Sequence, residues 1–152
     1  MANTTFSGPV NSTNGFRTTG VNITADTTLT ANAHSGRVVR VNDADCKVTL
    51  PAITADNIGT TYTIYIETAA TDLDIKTDGT DKFVGGLYTG VTNATGKTFI
   101  SGASNDVITM NGTTKGGLAG SFVTATAITT AKYVVSGIIL GSGTLVTPFA
   151  DA

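Results

Sequence analysis

Apolar and polar residues alternate with a period of two in several short stretches of this chain. Such alternation places successive side chains on opposite faces of a β-strand and is typical of strands that bury one face. No window shows apolar residues at the helical spacing i, i+3, i+4 and i+7 between capping residues. The pattern predicts half-buried antiparallel strands and no long helix. The apolar members of the clearest runs are Val39 and Val41, Val48 and Leu50, Tyr62 with Ile64 and Ile66, and Leu73 and Ile75.

Weaker alternating runs extend this pattern along the chain, with turn-forming residues between them. Asp78-Gly79 and Asn111-Gly112 each follow an alternating run, which is the sequence signal of a two-residue hairpin. About ten short strands at a spacing of roughly 8–12 residues predict an all-β fold, either an antiparallel β-sandwich or a jelly-roll-like barrel. The weaker runs cover residues 21–24, 28–32, 98–101, 106–110, 122–128, 132–138 and 143–147.

Residues 1–20 do not share this alternation. Their large apolar side chains are too widely spaced for one strand, and Gly, Pro and Asn residues interrupt the segment. The sequence therefore predicts an extended N-terminal arm, residues 1–20, followed by a single β-domain, residues 21–152. Two interpretations of the arm stay open: a frayed terminus, or a segment that orders on a partner. The candidate anchors for such a partner, which could include another subunit of the same chain, are Phe6, Val10, Phe16 and Arg17.

The composition narrows the function classes. The chain has 152 residues, enough for one domain, and only 13% of them are charged, against about 25% in ordinary soluble domains. Nine Lys and Arg residues among eleven Asp and Glu residues supply no basic face, so we expect no nucleic-acid partner. The most apolar stretch, residues 133–140, is far shorter than the ~20 residues that span a bilayer, so we expect no membrane partner. Thr, with 31 residues, and Gly, with 18, take the place of the missing charges.

Residue types that perform chemistry are scarce. His34 is the one histidine and has no second histidine or nearby cysteine with which to bind zinc, and the single Cys46 is predicted to be a small buried apolar residue. The acidic turns at 42–45 and 78–81 lack the spacing of a calcium loop. Gly96-Lys97-Thr98 lacks the first glycine of a phosphate-binding loop. The sequence therefore predicts no catalytic residue, no bound cofactor and no metal site.

Three Thr-x-Thr pairs raise the separate possibility of an ice-binding solenoid. They begin at Thr28, Thr61 and Thr124, and these positions show no fixed period. A regular solenoid requires such a period, so none is predicted.

Four short segments of the chain carry a family resemblance. Thr4-Thr5-Phe6-Ser7-Gly8-Pro9-Val10 looks like the opening of phage virion proteins, and the segment 29–51, ending in Val48-Thr49-Leu50-Pro51, is similar to a β-module of phage capsid and fibre proteins. Segments 75–83 and 141–149 continue the likeness. The chain thus resembles small structural proteins of tailed bacteriophages, particularly of marine and cyanobacterial podoviruses. One departure is Tyr133, where the resemblance leads us to expect Trp in a Lys-Trp-x-Val run.

The resemblance implies a non-enzymatic virion protein of the capsid decoration, or cement, type. A protein of this kind is assembled in the host cytoplasm and lies on the capsid surface of the virion. Its expected partners are the major capsid protein and further copies of itself, with a homotrimer preferred. Two alternatives stay open: a tail-fibre or receptor-binding β-domain that contacts the host surface, and an enzyme of unknown type.

Overall fold

The computed structural model describes residues 18–92 and 94–152, and within these ranges the chain is almost entirely β-structure. This confirms the predicted all-β fold class. One short α-helix, α1, and one turn of 3-10 helix, Ala55–Asn57, are the helical elements of the described part. The elements in chain order are β1 (Val21–Ile23), β2 (Thr27–Thr28), α1 (Ala31–His34), β3 (Val38–Val41), β4 (Lys47–Thr49), β5 (Thr61–Ile66), β6 (Leu73–Lys76), β7 (Lys82–Val91), β8 (Lys97–Ile100), β9 (Val107–Met110), β10 (Phe122–Thr129), β11 (Lys132–Gly141) and β12 (Phe149–Ala150).

The strands form two sheets. The seven-stranded sheet has the order β1-β3-β5-β10-β11-β7-β8, and the five-stranded sheet has the order β12-β9-β6-β4-β2. A single apolar cluster takes residues from both sheets, among them Ile64 of β5, Tyr133 of β11 and Ile75 of β6. The two sheets therefore enclose one core, as in a sandwich.

The strand pairing is mixed, which corrects the expectation of a purely antiparallel fold. The first six strands alternate between the sheets, so that β1, β3 and β5 lie parallel in one sheet and β2, β4 and β6 lie parallel in the other. This part of the chain winds as successive coils of unequal length, because the loops between its strands differ in length. No fixed repeat is needed for such winding, which is why a search for a period does not find it.

The two turns predicted to close hairpins instead carry the chain between the sheets. Asp78-Gly79 lies between β6 of the five-stranded sheet and β7 of the seven-stranded sheet, and Asn111-Gly112 begins the loop from β9 to β10. The hairpin prediction was therefore wrong at both turns. A turn sequence specifies a local reversal of the chain, whereas the partner of the next strand is chosen by packing over long sequence distances.

Three further elements differ from the sequence prediction. Strand β7, ten residues long, was missed because Gly85, Gly86 and Gly90 interrupt its alternation. The predicted strand at 28–32 gives way to α1, whose first turn is capped by the Thr30 side chain. The predicted strand at 143–147 is a loop that leads into β12. The predicted arm, residues 1–20, lies outside the described residues except for its last three, and the division into arm and domain stays a prediction.

Candidate interaction surface

A row of half-exposed apolar side chains crosses the outer face of the seven-stranded sheet. The strand register places Tyr65 of β5 beside Phe122 of β10, Phe122 beside Ile138 of β11, and Ile138 beside Tyr88 of β7. Their exposed fractions are 37%, 38%, 43% and 46% in the order Tyr65, Phe122, Ile138 and Tyr88. We call these four residues the apolar row. It links the four central strands of the sheet on the side away from the core.

A second row, made of hydroxyl side chains, lies next to the apolar row. Thr63, Thr124 and Ser136 are neighbours across β5, β10 and β11, and we call them the hydroxyl row. One step further along the strands, Thr61 and Thr126 are also neighbours, and their hydroxyl oxygens lie 2.9 Å apart. Two of the Thr-x-Thr pairs thus meet on one surface. Threonine suits this place because its branched side chain fits a pleated sheet and its hydroxyl stays in contact with water.

Charged side chains flank the two rows of this outer face in the described chain. On β3, which lies between β1 and β5, Arg40 is the register neighbour of Tyr65 and donates hydrogen bonds to both carboxylate oxygens of Glu67, with Nη2 2.7 Å from Oε2 and 2.8 Å from Oε1. At the end where β7 and β11 begin, Lys82 forms an ion pair with Asp106, and Lys132 lies exposed. The centre of the face is therefore neutral.

Glycines make room for two large side chains on this surface. A Cβ at Gly96 would overlap Tyr88 Oη, so the absence of a side chain at Gly96 makes room for the tyrosine ring. A Cβ at Gly86 would lie 2.8 Å from Cδ1 of Ile100, the most exposed large apolar residue of the described chain, at 70%. Because both glycines lack a Cβ, the side chains of Tyr88 and Ile100 can lie closer to the backbone of β7 and β8.

A cavity of about 300 Å³ opens at the end of β7 and β11. Gly90 and Leu140, which are neighbours across these strands, form part of its wall. Its other walls come from Leu118 and Ala119 of the loop before β10. An added Cβ at Gly90 would lie 3.5 Å from the Tyr88 ring, so the cavity adjoins one end of the apolar row.

The buried carboxylates of the described chain serve the fold. Asp81 Oδ2 accepts a hydrogen bond of 2.8 Å from the Ile53 amide, and burial raises the pKa of this carboxyl despite that bond. Asp106 is also buried, which would raise its pKa, but hydrogen bonds from Lys82 Nζ and the Ala152 amide outweigh burial and lower it. The side chain of Asp106 lines a second cavity of about 170 Å³, together with Thr77 and Asp78. The hydrogen bonds of Asp81 and Asp106 join loops and sheets.

The other residues that the sequence analysis considered for chemistry also take part in local contacts of the fold. His34 ends α1, and its Nδ1 lies 3.0 Å from the Thr30 amide nitrogen, which donates to it. Cys46 is buried, as predicted, and burial first of all, with nearby aspartates adding, raises the pKa of its thiol to about 11. Gly96 precedes β8, and Lys97 Nζ donates a hydrogen bond to the Leu145 carbonyl. This segment therefore belongs to the β7–β8 hairpin. The acidic turns form local turn hydrogen bonds, such as the one from the Asp45 amide to Asp43 Oδ1.

The four predicted anchor residues, Phe6, Val10, Phe16 and Arg17, lie outside the described residues, so their role as anchors stays a prediction. Sequence reasoning missed the apolar row. The signal in the sequence was an aromatic or aliphatic residue at a position that the alternation predicts to face solvent, as at Tyr65, Phe122 and Ile138. Such residues make both faces of a strand apolar, which a one-sided sandwich does not require.

The described residues provide neither a metal-binding cluster nor a membrane-spanning helix. Within residues 18–92 and 94–152, no group of three or more His, Cys, Asp or Glu side chains is placed to hold a metal ion. In the same ranges, no helix has the length and hydrophobicity needed to cross a membrane. The chain matches no family model, no curated protein and no solved structure.

Proposed function

We propose that this chain is a non-enzymatic structural protein of a bacteriophage particle, of the capsid decoration type. The proposal combines the resemblance of its short segments to phage structural proteins with the nature of its largest surface. A decoration protein acts by folding, associating and binding neighbouring subunits of the head. It requires protein-binding surfaces and no reaction centre.

The outer face of the seven-stranded sheet is the observation that carries the proposal. It offers aromatic and aliphatic side chains at its centre, hydroxyl groups beside them and charges that flank the two rows. Protein interfaces share this distribution, since their centres are enriched in aromatic residues and depleted of charges. The two buried carboxylates of the described chain, Asp81 and Asp106, support the proposal in another way, because both are occupied in holding loops and sheets together.

A tail-fibre or receptor-binding domain is the second candidate. The winding of β1 to β6 favours it, because strands stacked in parallel coils suit proteins that extend along one axis. The two candidates differ in location on the particle and in the number of copies that the particle holds.

Quantitative mass spectrometry of purified particles tests the proposal. Particles would be isolated from cultures that produce this chain, and its copy number would be measured relative to the major capsid protein. A decoration protein is expected at a copy number comparable with that of the capsid protein. A much smaller number, together with labelling at the tail, would favour the fibre. Absence of the chain from purified particles would contradict both candidates.

A further inference from the structure

The outer face of the seven-stranded sheet is uncovered by the rest of the described chain. Its apolar row is 37–46% exposed, whereas the residues that alternate with it, such as Ile64 and Val123, are fully buried. We propose that a second copy of this chain covers this face. The inference rests on the proposed structural role only in that both concern assembly, and it is tested in the absence of other particle components.

The charge distribution allows a second copy of the chain to bind and disfavours a nucleic acid. A face that binds its own copy must tolerate the same charges on both sides, because each residue meets the surface that contains it. The central residues Phe122, Thr124 and Ser136 are neutral, and Arg40, beside the apolar row, is already paired with Glu67. Two copies can therefore approach without repulsion at the centre. A nucleic acid, in contrast, would find no row of cations there.

The extent of the face also fits. With strands about 4.8 Å apart and residues about 3.3 Å apart along a strand, seven strands of about six residues span on the order of 30 Å by 20 Å. The resulting flat area of about 600 Å² increases when the relief of the side chains is included, and standard interfaces bury about 800 Å² on each partner. A face of this size approaches the area that one partner buries in a standard interface.

The shape of the face provides a third argument. Tyr88 lies across Gly96 and Ile100 lies across Gly86, so each of these large side chains covers glycine backbone at β7 and β8. Flat sheet faces pack on one another through the same kind of side-chain contacts that fill a sandwich. The apolar row supplies those contacts, and the hydroxyl row beside it can keep its hydrogen bonds across the contact or with bridging water.

Sedimentation velocity with a matched pair of lysine variants tests the inference. Ile138→Lys places a charge at the centre of the face, and Ile58→Lys places the same charge in the loop before β5, at a site of similar exposure, 45% against 43%. We expect the full-length chain to sediment as a multiple of its 15.4 kDa mass at micromolar concentrations. Ile138→Lys should weaken association by about a hundredfold or more, because a lysine buried without a partner is costly. Ile58→Lys should leave association unchanged.

Circular dichroism and thermal unfolding establish that each variant is folded, and Ser136→Lys provides a second probe of the face if Ile138→Lys does not fold. A dimer that Ile138→Lys dissociates would support the inference, and a trimer would overturn the face-to-face pairing, because a closed threefold ring joins two different surfaces. A native chain that remains monomeric throughout the micromolar range would overturn it. Equal effects of Ile138→Lys and Ile58→Lys would overturn it as well. So would a monomeric chain that loses binding to phage heads when Ile138 is replaced, since the face would then belong to a different protein.

Discussion

Lys82 and Asp106 form an ion pair that joins the two sheets, with Lys82 Nζ 2.6 Å from Asp106 Oδ2. Lys82 begins β7 of the seven-stranded sheet, and Asp106 directly precedes β9 of the five-stranded sheet. The carboxylate side chain is only 3% exposed, and its second oxygen accepts a hydrogen bond of 3.0 Å from the Ala152 amide. Although burial alone would raise the pKa of Asp106, these donors lower it, so the folded protein favours the ionised form.

This ion pair predicts how Asp106→Asn changes stability with pH. A carboxyl group whose pKa is lower in the folded protein stabilises the fold above its unfolded pKa, which is about 4, and loses that contribution as the pH falls further. At neutral pH we therefore expect Asp106→Asn to melt at a lower temperature than the native protein. As the pH falls below about 4, the difference should shrink, because protonated aspartic acid carries no charge either. Calorimetry from pH 7 downward measures it, and a constant difference would contradict the assigned role.

Tyr62 and Tyr133 are buried, and their rings meet edge to face with centroids 6.4 Å apart. Replacing each by phenylalanine should have a different effect on stability. Tyr133 donates a hydrogen bond of 2.7 Å to the Pro51 carbonyl, whereas Tyr62 Oη has no partner in the described part of the chain. Tyr133→Phe should lower the free energy of unfolding by about 1–2 kcal/mol, because it leaves a carbonyl unpaired. Tyr62→Phe should stay within about 0.5 kcal/mol of the native value or be slightly stabilising. Denaturant unfolding separates the two, and equal losses would be inconsistent with these contacts.

Two glycines with nearly the same φ differ in their surroundings, so replacing each by alanine separates backbone strain from steric collision. Gly36 and Gly112 have φ values of 67° and 68°. A Cβ at Gly36 would meet nothing within 4 Å, whereas one at Gly112 would collide with the Ala70 carbonyl oxygen. We expect Gly36→Ala to cost about 1 kcal/mol of unfolding free energy, from the left-handed backbone alone. Gly112→Ala should cost at least about 3 kcal/mol, since a collision with backbone adds to that strain.

Deletion of residues 2–20 tests the predicted division into arm and domain. The core cluster of the described chain begins at Ile23 and closes between the two sheets. We therefore expect the shortened chain to keep its β-type circular dichroism spectrum and its cooperative unfolding. If the chain decorates phage heads as proposed, the shortened chain should bind them more weakly than the full chain, because the arm carries the candidate anchors Phe6, Val10, Phe16 and Arg17. Unchanged head binding would show that the arm is a frayed end.

The sequence predicted buried faces better than strand partners. Tyr62, Ile64 and Ile66 alternate in the sequence and are all fully buried in β5, because period-two alternation is a direct consequence of strand geometry. About ten strands were predicted where the described chain has twelve, because glycines interrupt the alternation of β7 and because β12, with two residues, is too short to show any alternation. Parallel pairing between β3 and β5 arises from contacts 20 or more residues apart, which no local pattern encodes.

The candidate surface was harder to predict than the fold. Phe122, Ile138 and Tyr88 come from three strands, and they become one row only when the register of those strands is known. In the sequence each is an apolar residue at a position that the alternation predicts to face solvent, and exposed apolar residues are common on protein surfaces. The role of Gly86 and Gly96 in making room for large side chains was equally hidden, since it depends on which side chains lie over them.

Alkylation of a thiol placed at the centre of the outer face tests the central claim most directly. Ser136→Cys puts a thiol in the hydroxyl row, and Ser104→Cys puts one in the exposed loop before β9 as a control. The native Cys46 is buried and its pKa is raised, so in both variants it should react slowly with the alkylating reagent. If the outer face is covered on assembly, Cys at 136 will be alkylated rapidly in dilute protein and much more slowly in assembled protein, while Cys at 104 reacts at the same rate in both. Equal alkylation of Cys at 136 in dilute and assembled protein would contradict the account.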